Sequence, residues 1–544
     1  MTAGTVVIIG GGLAGMRAAI EAARSGARVT LVARRISPEG GASRLALGVA
    51  AVLGTSPSAS IAAHAADTVA GSRSLADPSL VEAFVRDVGT SIAELAALGT
   101  RFDKGSDGAP RQVQMPGHSS PRSLGSGMAL GLEATRALAA ELARRPEIEL
   151  RDRWSAHRVI VEGDRVVGIA GRSDSTGKGT VIAADAVVLA TGGLLDVFRP
   201  RAVPMPDLTA DGFAMALMAG AELTDMEFTQ FFPTALIWPP SAAPVVWVGA
   251  LRYHFNAHLL DSNGSRFMAR YDPEAMELST RDVLCRAIAT EVLEGRGSPH
   301  GGVWMSLAHV PAAQLEAFLT TTFPDGFVAQ RDLAVASIDL PRDPIEVGPI
   351  AHFQMGGICI DAFGRTSVTG LFAAGEVAGG LHGANRIEDN AVGEALVFGA
   401  RAGAAAARYA AERSRERPTE AEMTYRFAAA SDAGPAWVEH ERDRVGKILV
   451  EALGPVRAGP VLQAAGGTIA ALRRRIDHEF PATTIGPPSV EQLRSLLLAG
   501  GAMVAAATWR RESRGSHYRV DHPDEGGTSW QIHSVVRDNG TRPI

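Results

Sequence analysis

The chain has 544 residues, of which 46% are hydrophobic and 21% charged, and its formal net charge is −6 at pH 7. This composition is typical of a globular protein, and the length predicts roughly three to four domain-sized units. The slightly acidic balance, with no basic run beyond short pairs and Arg473–Arg475, excludes a protein that binds nucleic acid through a basic surface.

The sequence also constrains where the protein works. No apolar run reaches roughly 18 residues, so no transmembrane segment is predicted. A strand is predicted to begin near Thr5, which leaves no room for a signal peptide. The two cysteines, Cys285 and Cys359, are far apart, so we expect no iron–sulfur cluster and no metal in this chain. We therefore predict a cytoplasmic protein; the alternative is peripheral docking at the inner face of the membrane through a partner protein.

The amino terminus predicts a strand, a glycine turn, a helix and a second strand between Thr5 and Leu31. Gly10, Gly12 and Gly15 form the pattern G-x-G-x-x-G within this unit. The first glycine permits a tight turn, the second lets a pyrophosphate approach the backbone, and the third lets the helix pack on the strand. We therefore expect these glycines to bind a dinucleotide.

One element of the dinucleotide pattern is missing at the end of the second strand. An acid normally binds the ribose there, but the chain reads LVARR from Leu31 to Arg35. Arg34 or Arg35 could instead bind a phosphate or the adenine-side ribose. This weakens the case for a plain NAD-binding protein.

The whole chain is predicted to form three domains. Residues 147–193 predict short strands that end in an ATGG turn, whereas residues 235–348 contain turns with proline and tryptophan, then a helix at Arg281–Glu294. We interpret this second region as an insertion in the dinucleotide-binding fold. The predicted domains are the dinucleotide-binding domain at 1–234 and 349–411, the inserted domain at 235–348, and a helical domain with an extended tail at 412–544.

The stretch from His352 to Gly403 is the most informative part of the chain. It places an acid, two histidines and an arginine among closely spaced glycines, which let the backbone approach a ligand. A helix is predicted to begin near Asn390, and its free N–H groups and positive end favour an electron-rich ligand. The arrangement suits a cofactor with an anionic substrate beside it.

Several motifs, in this order along the chain, resemble those of the flavoprotein family of succinate dehydrogenase, fumarate reductase and L-aspartate oxidase. The motifs are Gly10–Gly15, ATGG at Ala190–Gly193, EFTQFFPT at Glu227–Thr234, LSTRDVLCRAI at Leu278–Ile288, HFQMGG…HGANR from His352, and RESRGSHYRVDHPD at Arg511–Asp524. The resemblance covers nearly the whole chain. It implies an α/β fold in which a Rossmann-like FAD-binding domain carries an inserted α+β capping domain and precedes a helical C-terminal domain.

The resemblance also assigns residues to FAD. Glu376 matches the acid that binds the ribityl chain, and Asn390 matches a position at the pyrimidine end of the flavin. Relatives that bind FAD covalently carry a histidine where this chain has none between Gly26 and Ala63, so we predict non-covalent FAD. The full set expected to bind FAD is Gly10, Gly12, Gly15, Arg34, Gly192, Gly193, Asp211, Glu376, Asn390, Ala391 and Val392.

Three residues match the catalytic positions of the family. Arg281 matches the arginine that shuttles the proton, Arg386 the clamp for the substrate carboxylate, and His352 a substrate-binding histidine. An arginine is a poor base because its pKa exceeds about 12, so the shuttle role requires a strongly electropositive site. The alternatives are structural ion pairs, of Arg281 with Asp282 and of Arg386 with Glu388 or Asp389. The residues expected to contact substrate are His118, Ser119, Arg122, Thr234 and His382.

Three positions depart from the family pattern. Phe232 replaces a histidine, Gly249 replaces an acid on the proton path, and Met115 replaces the acid with which L-aspartate oxidases recognise the substrate amino group. The first two changes remove polar groups from one end of the site, so we expect a bulkier or less acidic substrate unless neighbours in RYHFNAH, at Tyr253, His254 and His258, compensate. Met115 cannot pair with an ammonium group, which weakens the case for L-aspartate.

Three functions stay open on these observations. The first is an oxidoreductase of the succinate dehydrogenase/fumarate reductase type, which transfers a hydride between flavin N5 and a small carboxylate and needs an iron–sulfur or other redox partner. The second is an L-aspartate oxidase-like enzyme that forms iminoaspartate for NAD synthesis. The third is a flavin-binding subunit that has lost catalysis.

Overall fold

The computed structural model describes residues 3–36, 40–53, 57–127, 129–203, 205, 207–321, 332–340, 342–413, 425–428, 434–481, 483–538 and 540–543. Within these residues the α-helices are α1 (Leu13–Arg24), α2 (Pro57–Gly71), α3 (Pro78–Ala97), α4 (Leu130–Leu142), α5 (Asp211–Met218), α6 (Gly249–Phe255), α7 (Arg281–Leu293), α8 (Ala312–Thr321), α9 (Asn390–Arg413), α10 (Ala436–Leu453), α11 (Gly459–Glu479) and α12 (Pro488–Trp509).

The strands of the first half are β1 (Thr5–Ile9), β2 (Arg28–Val32), β3 (Gly48–Ala50), β4 (Gln112–Val113), β5 (Ser123–Gly125), β6 (Ile148–Arg151), β7 (Trp154–Glu162), β8 (Arg165–Ser173), β9 (Gly179–Ala183), β10 (Ala186–Leu189), β11 (Leu223–Thr224) and β12 (Thr229–Leu236). Those of the second half are β13 (His258–Leu260), β14 (Val303–Ser306), β15 (Ile345–Gln354), β16 (Gly357–Ile358), β17 (Leu371–Ala373), β18 (Arg426–Phe427), β19 (Thr484–Ile485), β20 (Ser534–Arg537) and β21 (Gly540–Pro543).

A five-stranded parallel sheet forms the centre of the molecule, in the order β17-β10-β1-β2-β6. Its middle strands are short apolar runs, as expected for strands that helices cover on both faces. Helix α1 packs on α9, where an added Cβ at Gly399 would lie 2.6 Å from the Ala14 oxygen and one at Gly403 would lie 2.3 Å from the Ala18 oxygen. The glycines therefore let the two backbones touch, which fixes the start of α9 beside the glycine turn of β1.

A second hydrophobic cluster, with members from Leu236 to Val347, lies apart from the main core. It is built around the antiparallel sheet β12-β15-β14-β13 and the helices α6, α7 and α8. Strands β12 and β15 also reach the main core, because Phe231 and Ile350 belong to it. The two strands thus join the inserted region to the FAD-binding part of the fold, and the predicted domain limits stay a prediction.

The carboxyl-terminal region contributes helices α10, α11 and α12, which pack into the main core. The tail does more than extend over the surface: it forms β20 and β21, and β20 pairs with β11 in a four-stranded sheet. Buried ion pairs secure this contact, since Arg510 is fully buried between Glu227 and Glu512. Among the helices that the structure describes, none is long and apolar enough to cross a membrane.

Candidate active site

The first glycine turn joins β1 to α1 and leaves no space for side chains. Gly10 has φ +123°, and an added Cβ would lie 2.1 Å from the Ala190 oxygen. A Cβ at Gly15 would lie 1.8 Å from the Gly10 oxygen. Gly12, the N-cap of α1, has no side chain to cap the helix, and the Leu13 N–H donates instead to Ser43 Oγ at 3.1 Å. The next N–H groups of the first turn are the ones that could meet a phosphate.

A second glycine turn follows β10 and faces the acid of the AAGE motif. Gly192 has φ +76°, and an added Cβ at Gly193 would lie 2.2 Å from Glu376 Oε1. Burial raises the pKa of Glu376 to about 7, although the Gln354 backbone N–H donates to its carboxylate at 3.1 Å. A carboxyl group with this pKa can both donate to and accept from a hydroxyl group, which suits a polyol chain.

Arg34 and Asp211 lie together beyond the carboxyl end of β2. They form an ion pair, and Arg34 also donates to Ser155 Oγ at 3.1 Å and to Thr209 Oγ1 at 2.7 Å. The guanidinium is therefore fixed by protein contacts, and its part in binding the adenine-side ribose or a phosphate stays a prediction.

The start of α9 is tied to α2 through Asn390. Its Oδ1 lies 2.9 Å from His64 Nε2, and its Nδ2 donates to Thr68 Oγ1 at 3.1 Å. Burial lowers the pKa of His64 to about 4, so this ring is neutral. Ala391 and Val392 follow in the first turn of α9, where backbone N–H groups have no acceptor within the helix and can bind a ligand.

These features fit FAD. Two glycine turns approach the ends of the parallel strands, and the buried Thr191 Oγ1 of the ATGG turn has no hydrogen-bond partner within the described part of the chain. Glu376 and the first turn of α9 lie beyond them. The glycine turns follow strands β1 and β10 of the parallel sheet, at the edge where such folds bind dinucleotides, and the part of each residue in binding FAD stays a prediction.

Arg386 is a buried cation, and among the described residues no ion pair includes it. Its side chain donates to Gln230 Oε1 at 2.9 Å, lies 3.4 Å from His352 Nε2, and keeps a buried Nε that no described residue contacts by a hydrogen bond. The alternative pairing with Glu388 or Asp389 is therefore wrong. Burial, together with Arg281, lowers the pKa of Arg386 below the ordinary arginine value. A guanidinium in this state is a strong binding site for an anion.

His352 is neutral, because burial holds its pKa well below the ordinary value and Arg281 and Arg386 add to the effect. It extends from β15 between the two arginines. A neutral imidazole there can offer a hydrogen bond without adding charge.

Arg281 begins α7 and pairs with Glu388 at 2.5 Å rather than with Asp282. Asp282 lies 3.5 Å from Arg73 instead. Burial opposes the charge on Arg281, but attraction by Glu388 outweighs it and raises the pKa of Arg281 above its ordinary value. A basic arginine would need a strongly electropositive site, but here the negative charge of Glu388 offsets the positive charge of Arg281. The sequence did not predict that Glu388 pairs with Arg281. The signal it offered was an acid two residues after Arg386.

His118, Ser119 and Arg122 form a cluster around Asp67. Arg122 pairs with Asp67, and both the backbone N–H and the hydroxyl of Ser119 donate to the same carboxylate, at 2.8 and 2.9 Å. His118 Nε2 lies 2.7 Å from the Glu388 carbonyl oxygen. The cluster supports the segment that carries Glu388, and direct contact with substrate stays a prediction for all three residues.

His382 and Thr234 differ in the contacts that their side chains make with the protein. His382 Nε2 is 3.0 Å from Glu394 Oε2, and its ring packs edge-on against Phe353. The buried Thr234 Oγ1 makes no hydrogen bond to any described residue. His382 Nδ1 is likewise buried without a hydrogen bond to a described residue, so each side chain has one polar atom left for a ligand.

Phe232 and Gly249, two of the positions that depart from the family pattern, contact each other. An added Cβ at Gly249 would lie 2.5 Å from the Phe232 ring and 3.3 Å from Thr234 Oγ1. The ring of Phe232 has its centroid 5.5 Å from the Arg281 guanidinium carbon and 5.9 Å from the centroid of His352. An aromatic side chain thus fills the space beside both groups.

Among the neighbouring side chains, Tyr253 acts on two arginines: its ring packs under the Arg252 guanidinium at 4.1 Å, and it helps to raise the pKa of Arg281. His254 packs on Phe318, and His258 stacks on His309. The carbonyl of Met115 accepts a hydrogen bond from the His118 backbone N–H across a tight turn. These contacts do not restore an acid at Gly249.

The fold and these turns define an FAD-dependent oxidoreductase. The family model described as FAD binding domain matches residues 5–392, and the model described as fumarate reductase flavoprotein C-term matches residues 442–543. The chain therefore belongs to the flavoprotein family of succinate dehydrogenase, fumarate reductase and L-aspartate oxidase. This confirms the predicted family, FAD as cofactor and the oxidoreductase class.

The similar proteins are named for different activities. The chain is 36% identical to a subunit of the fumarate reductase (CoM/CoB) of Methanothermobacter marburgensis, over 95% of this chain and 94% of the relative. It is 36% identical to L-aspartate oxidase of Caulobacter vibrioides, over 95% and 93% of the two chains. Among solved structures, Mycobacterium smegmatis Sdh1 in complex with UQ1 superposes with a TM-score of 0.86 at 30% identity, covering 99% of this chain and 94% of that one. The fold is confirmed, and the names leave the substrate open.

Proposed function

We propose that the protein is an oxidoreductase of the succinate dehydrogenase/fumarate reductase type that reduces a carbon–carbon double bond next to a carboxylate. The observation that carries this proposal is Arg386, which is 8% exposed and has no acidic partner among the described residues. An isolated buried charge is costly, and a bound carboxylate would compensate it through two parallel hydrogen bonds.

Three side chains would position the substrate. Arg386 binds the carboxylate, Gln230 holds the guanidinium from the other side at 2.9 Å, and the neutral His352 adds a hydrogen bond. Charge develops on the carboxylate side of the double bond during reduction, so these groups stabilise the transition state more than the ground state.

Arg281 and Glu388 would form the proton-donating unit. Reduction of a double bond adds a hydride to one carbon and a proton to the next, so a protein acid must supply the proton. The raised pKa of Arg281 keeps it a guanidinium, so in the reductive direction it would start with the proton that it donates. Glu388, at 2.5 Å, is placed to return a proton to Arg281.

The residues around the glycine turns would hold FAD without a covalent bond. When bound, FAD donates or accepts two electrons as a hydride at N5. Gly10, Gly12 and Gly15 would contact the pyrophosphate, Glu376 the ribityl chain, and Asn390 the flavin ring system. Because Arg386 lies shortly before Asn390 in the chain, a ring system held at the start of α9 would lie near this arginine.

A redox partner is part of the proposal. This chain has only two cysteines, far apart in sequence, so electrons must arrive from another protein or a diffusible donor. Two of the similar proteins are named as subunits of fumarate reductases. We therefore propose that the partner is an iron–sulfur or other redox protein, and that the complex lies in the cytoplasm or at the inner face of a membrane.

A second candidate is L-aspartate oxidation to iminoaspartate, because relatives with that name are 32% and 36% identical over nearly the full chain. Met115 argues against it, since a thioether cannot replace the acid that would pair with the substrate ammonium.

Flavin bleaching separates the two candidates. Purified, anaerobic, oxidised protein would be mixed with succinate and separately with L-aspartate, and flavin absorbance followed. Bleaching by aspartate alone, with peroxide formed in air, would overturn the proposal. Bleaching by a simple saturated acid, and reoxidation of the reduced flavin by the matching unsaturated acid, would support it. A protein that binds FAD but whose flavin reacts neither with these acids nor with other saturated and unsaturated carboxylates, half-esters included, would be a non-catalytic subunit.

A further inference from the structure

We propose that the substrate has one carboxylate and an uncharged group at the other end of its double bond: an α,β-unsaturated monocarboxylate, or a half-ester or half-amide of a dicarboxylate, rather than a free dicarboxylate. This inference rests on the proposed function. It concerns the wall that Phe232 and Gly249 form beside Arg281 and His352.

Phe232 and Gly249 form one packed unit. An added Cβ at Gly249 would lie 2.5 Å from two atoms of the Phe232 ring, so no larger residue fits at position 249 while the ring is there. The ring lies beside Arg281 and His352, with centroid separations of 5.5 and 5.9 Å from the guanidinium carbon and the imidazole. The ring is partly buried against the main core and borders the two groups proposed to act on the substrate.

The two residues of this wall offer nothing that would bind a second carboxylate. A benzyl side chain has no hydrogen-bond donor, and Gly249 has no side chain at all. The polar group beside them is Thr234 Oγ1, which would lie 3.3 Å from an added Gly249 Cβ and is a single neutral hydroxyl. A carboxylate held against the ring would lose its hydration and gain at most one hydrogen bond, which is unfavourable.

Two further arginines lie near this wall. Arg281 is paired with Glu388. Arg252, on α6, is buried with one Nη donating to the Glu277 carbonyl oxygen and its guanidinium over the Tyr253 ring, but no ion pair with a described residue includes it and its Nε makes no hydrogen bond to one. Arg386, beside His352, accounts for one carboxylate, and Arg252 would be the cation available to a second carboxylate if the inference were wrong.

An uncharged end group would be favoured by the same wall. Apolar atoms packed on the Phe232 ring leave water, and a carbonyl of an ester or amide could accept from Thr234 Oγ1 without a charge to desolvate. The result is a site that selects against a second negative charge.

Fumarate and monomethyl fumarate are a matched pair that tests the inference. Both carry an activated double bond, and they differ by one charge and one methyl group. Reduced methyl viologen would serve as electron donor to the FAD-loaded protein, and kcat/KM would be measured for each acid. We expect monomethyl fumarate to be favoured by about tenfold or more, since discrimination at a site lacking a charged partner is at least of that order.

Variants of the wall provide the second arm. Phe232→His should shift the preference toward fumarate, because it adds a hydrogen-bond donor where the ring stood. Phe232→Leu should keep the preference for the half-ester. Phe363→His, the same change at an exposed position far from the site, is the matched control, and FAD content and Tm check that each variant is folded.

Three results are distinguishable. Preference for monomethyl fumarate that weakens in Phe232→His supports the inference. Equal or better use of fumarate by the unaltered protein overturns it, would point to Arg252 as a second carboxylate site, and leaves the proposed function standing. Failure of both acids to oxidise the reduced, FAD-loaded protein overturns the proposed function, and the inference with it.

Discussion

Replacing Arg386 by methionine should separate substrate binding from stability. Methionine has a similar length and no charge, so the change removes the anion-binding group and keeps most of the packing. We expect fumarate or monomethyl fumarate to bind the oxidised protein far more weakly, while the protein keeps its fold and its FAD.

The magnitudes follow from the contacts of Arg386. Loss of one partner of a buried, hydrogen-bonded charge pair costs about 2–5 kcal/mol, or about 30- to 4,000-fold in Kd. Stability should change little, because two effects oppose each other. The change removes a buried charge that has no acidic partner among the described residues, but it leaves Gln230 Oε1 and the Ile387 carbonyl oxygen with one hydrogen bond less. We expect a net change within about 1 kcal/mol.

The assay is a titration of the flavin absorbance of oxidised protein with each acid, together with Tm by thermal scanning. Arg510→Met is the matched control, because Arg510 is also buried but pairs with Glu227 and Glu512. Breaking that pair should cost about 3–5 kcal/mol of stability. If Arg386→Met lost as much stability as Arg510→Met while binding the acids normally, Arg386 would be a structural residue and the reasoning would be refuted.

Four further outcomes are expected. Gly15→Ala should abolish FAD binding, because the added methyl would lie 1.8 Å from the Gly10 oxygen; retention of FAD by the purified variant would show that the turn can relax. Glu388→Gln should lower kcat, raise its solvent isotope effect and leave the Kd of the acids nearly unchanged, while Glu388→Asp should restore part of the rate; an equal loss of binding would contradict a role in proton return. The pKa of Glu376 is raised to about 7, so the folded, FAD-free protein holds the carboxyl proton more tightly than the unfolded chain does. The resulting contribution to stability is complete below the unfolded pKa and is lost as the pH rises to about 7, and Glu376→Gln should flatten this dependence in a pH series of Tm values. Acid precipitation should release all FAD into the supernatant, and flavin retained in the pellet would contradict non-covalent binding.

Features set by local sequence could be predicted well. The turn at Gly10–Gly15 follows from the spacing of its glycines, and its geometry tolerates no Cβ at either end. The sequence predicts a helix at Arg281–Glu294, and α7 spans Arg281–Leu293, since its start and its apolar periodicity are local.

Features set by long-range contacts could not be predicted in this way. The sequence suggested Glu388 as a partner of Arg386, but the fold places it against Arg281, which is 107 residues away. The departures at Phe232 and Gly249 seemed independent in sequence, whereas the structure packs one against the other. The tail strand β20 pairs with β11, which lies far earlier in the chain, a register that no local pattern encodes.

The most direct test of the account is reoxidation of the reduced flavin. The FAD-loaded protein would be photoreduced without oxygen and mixed with fumarate or monomethyl fumarate, while flavin absorbance is followed in the unaltered protein and in Arg386→Met. The account predicts that the unaltered protein regains its oxidised spectrum, with the saturated acid formed in equal amount, and that Arg386→Met does so at least about 30-fold more slowly at low acid concentration. Reduced flavin that stays reduced with these and other unsaturated carboxylates, or reoxidation that is unchanged in Arg386→Met, would contradict it.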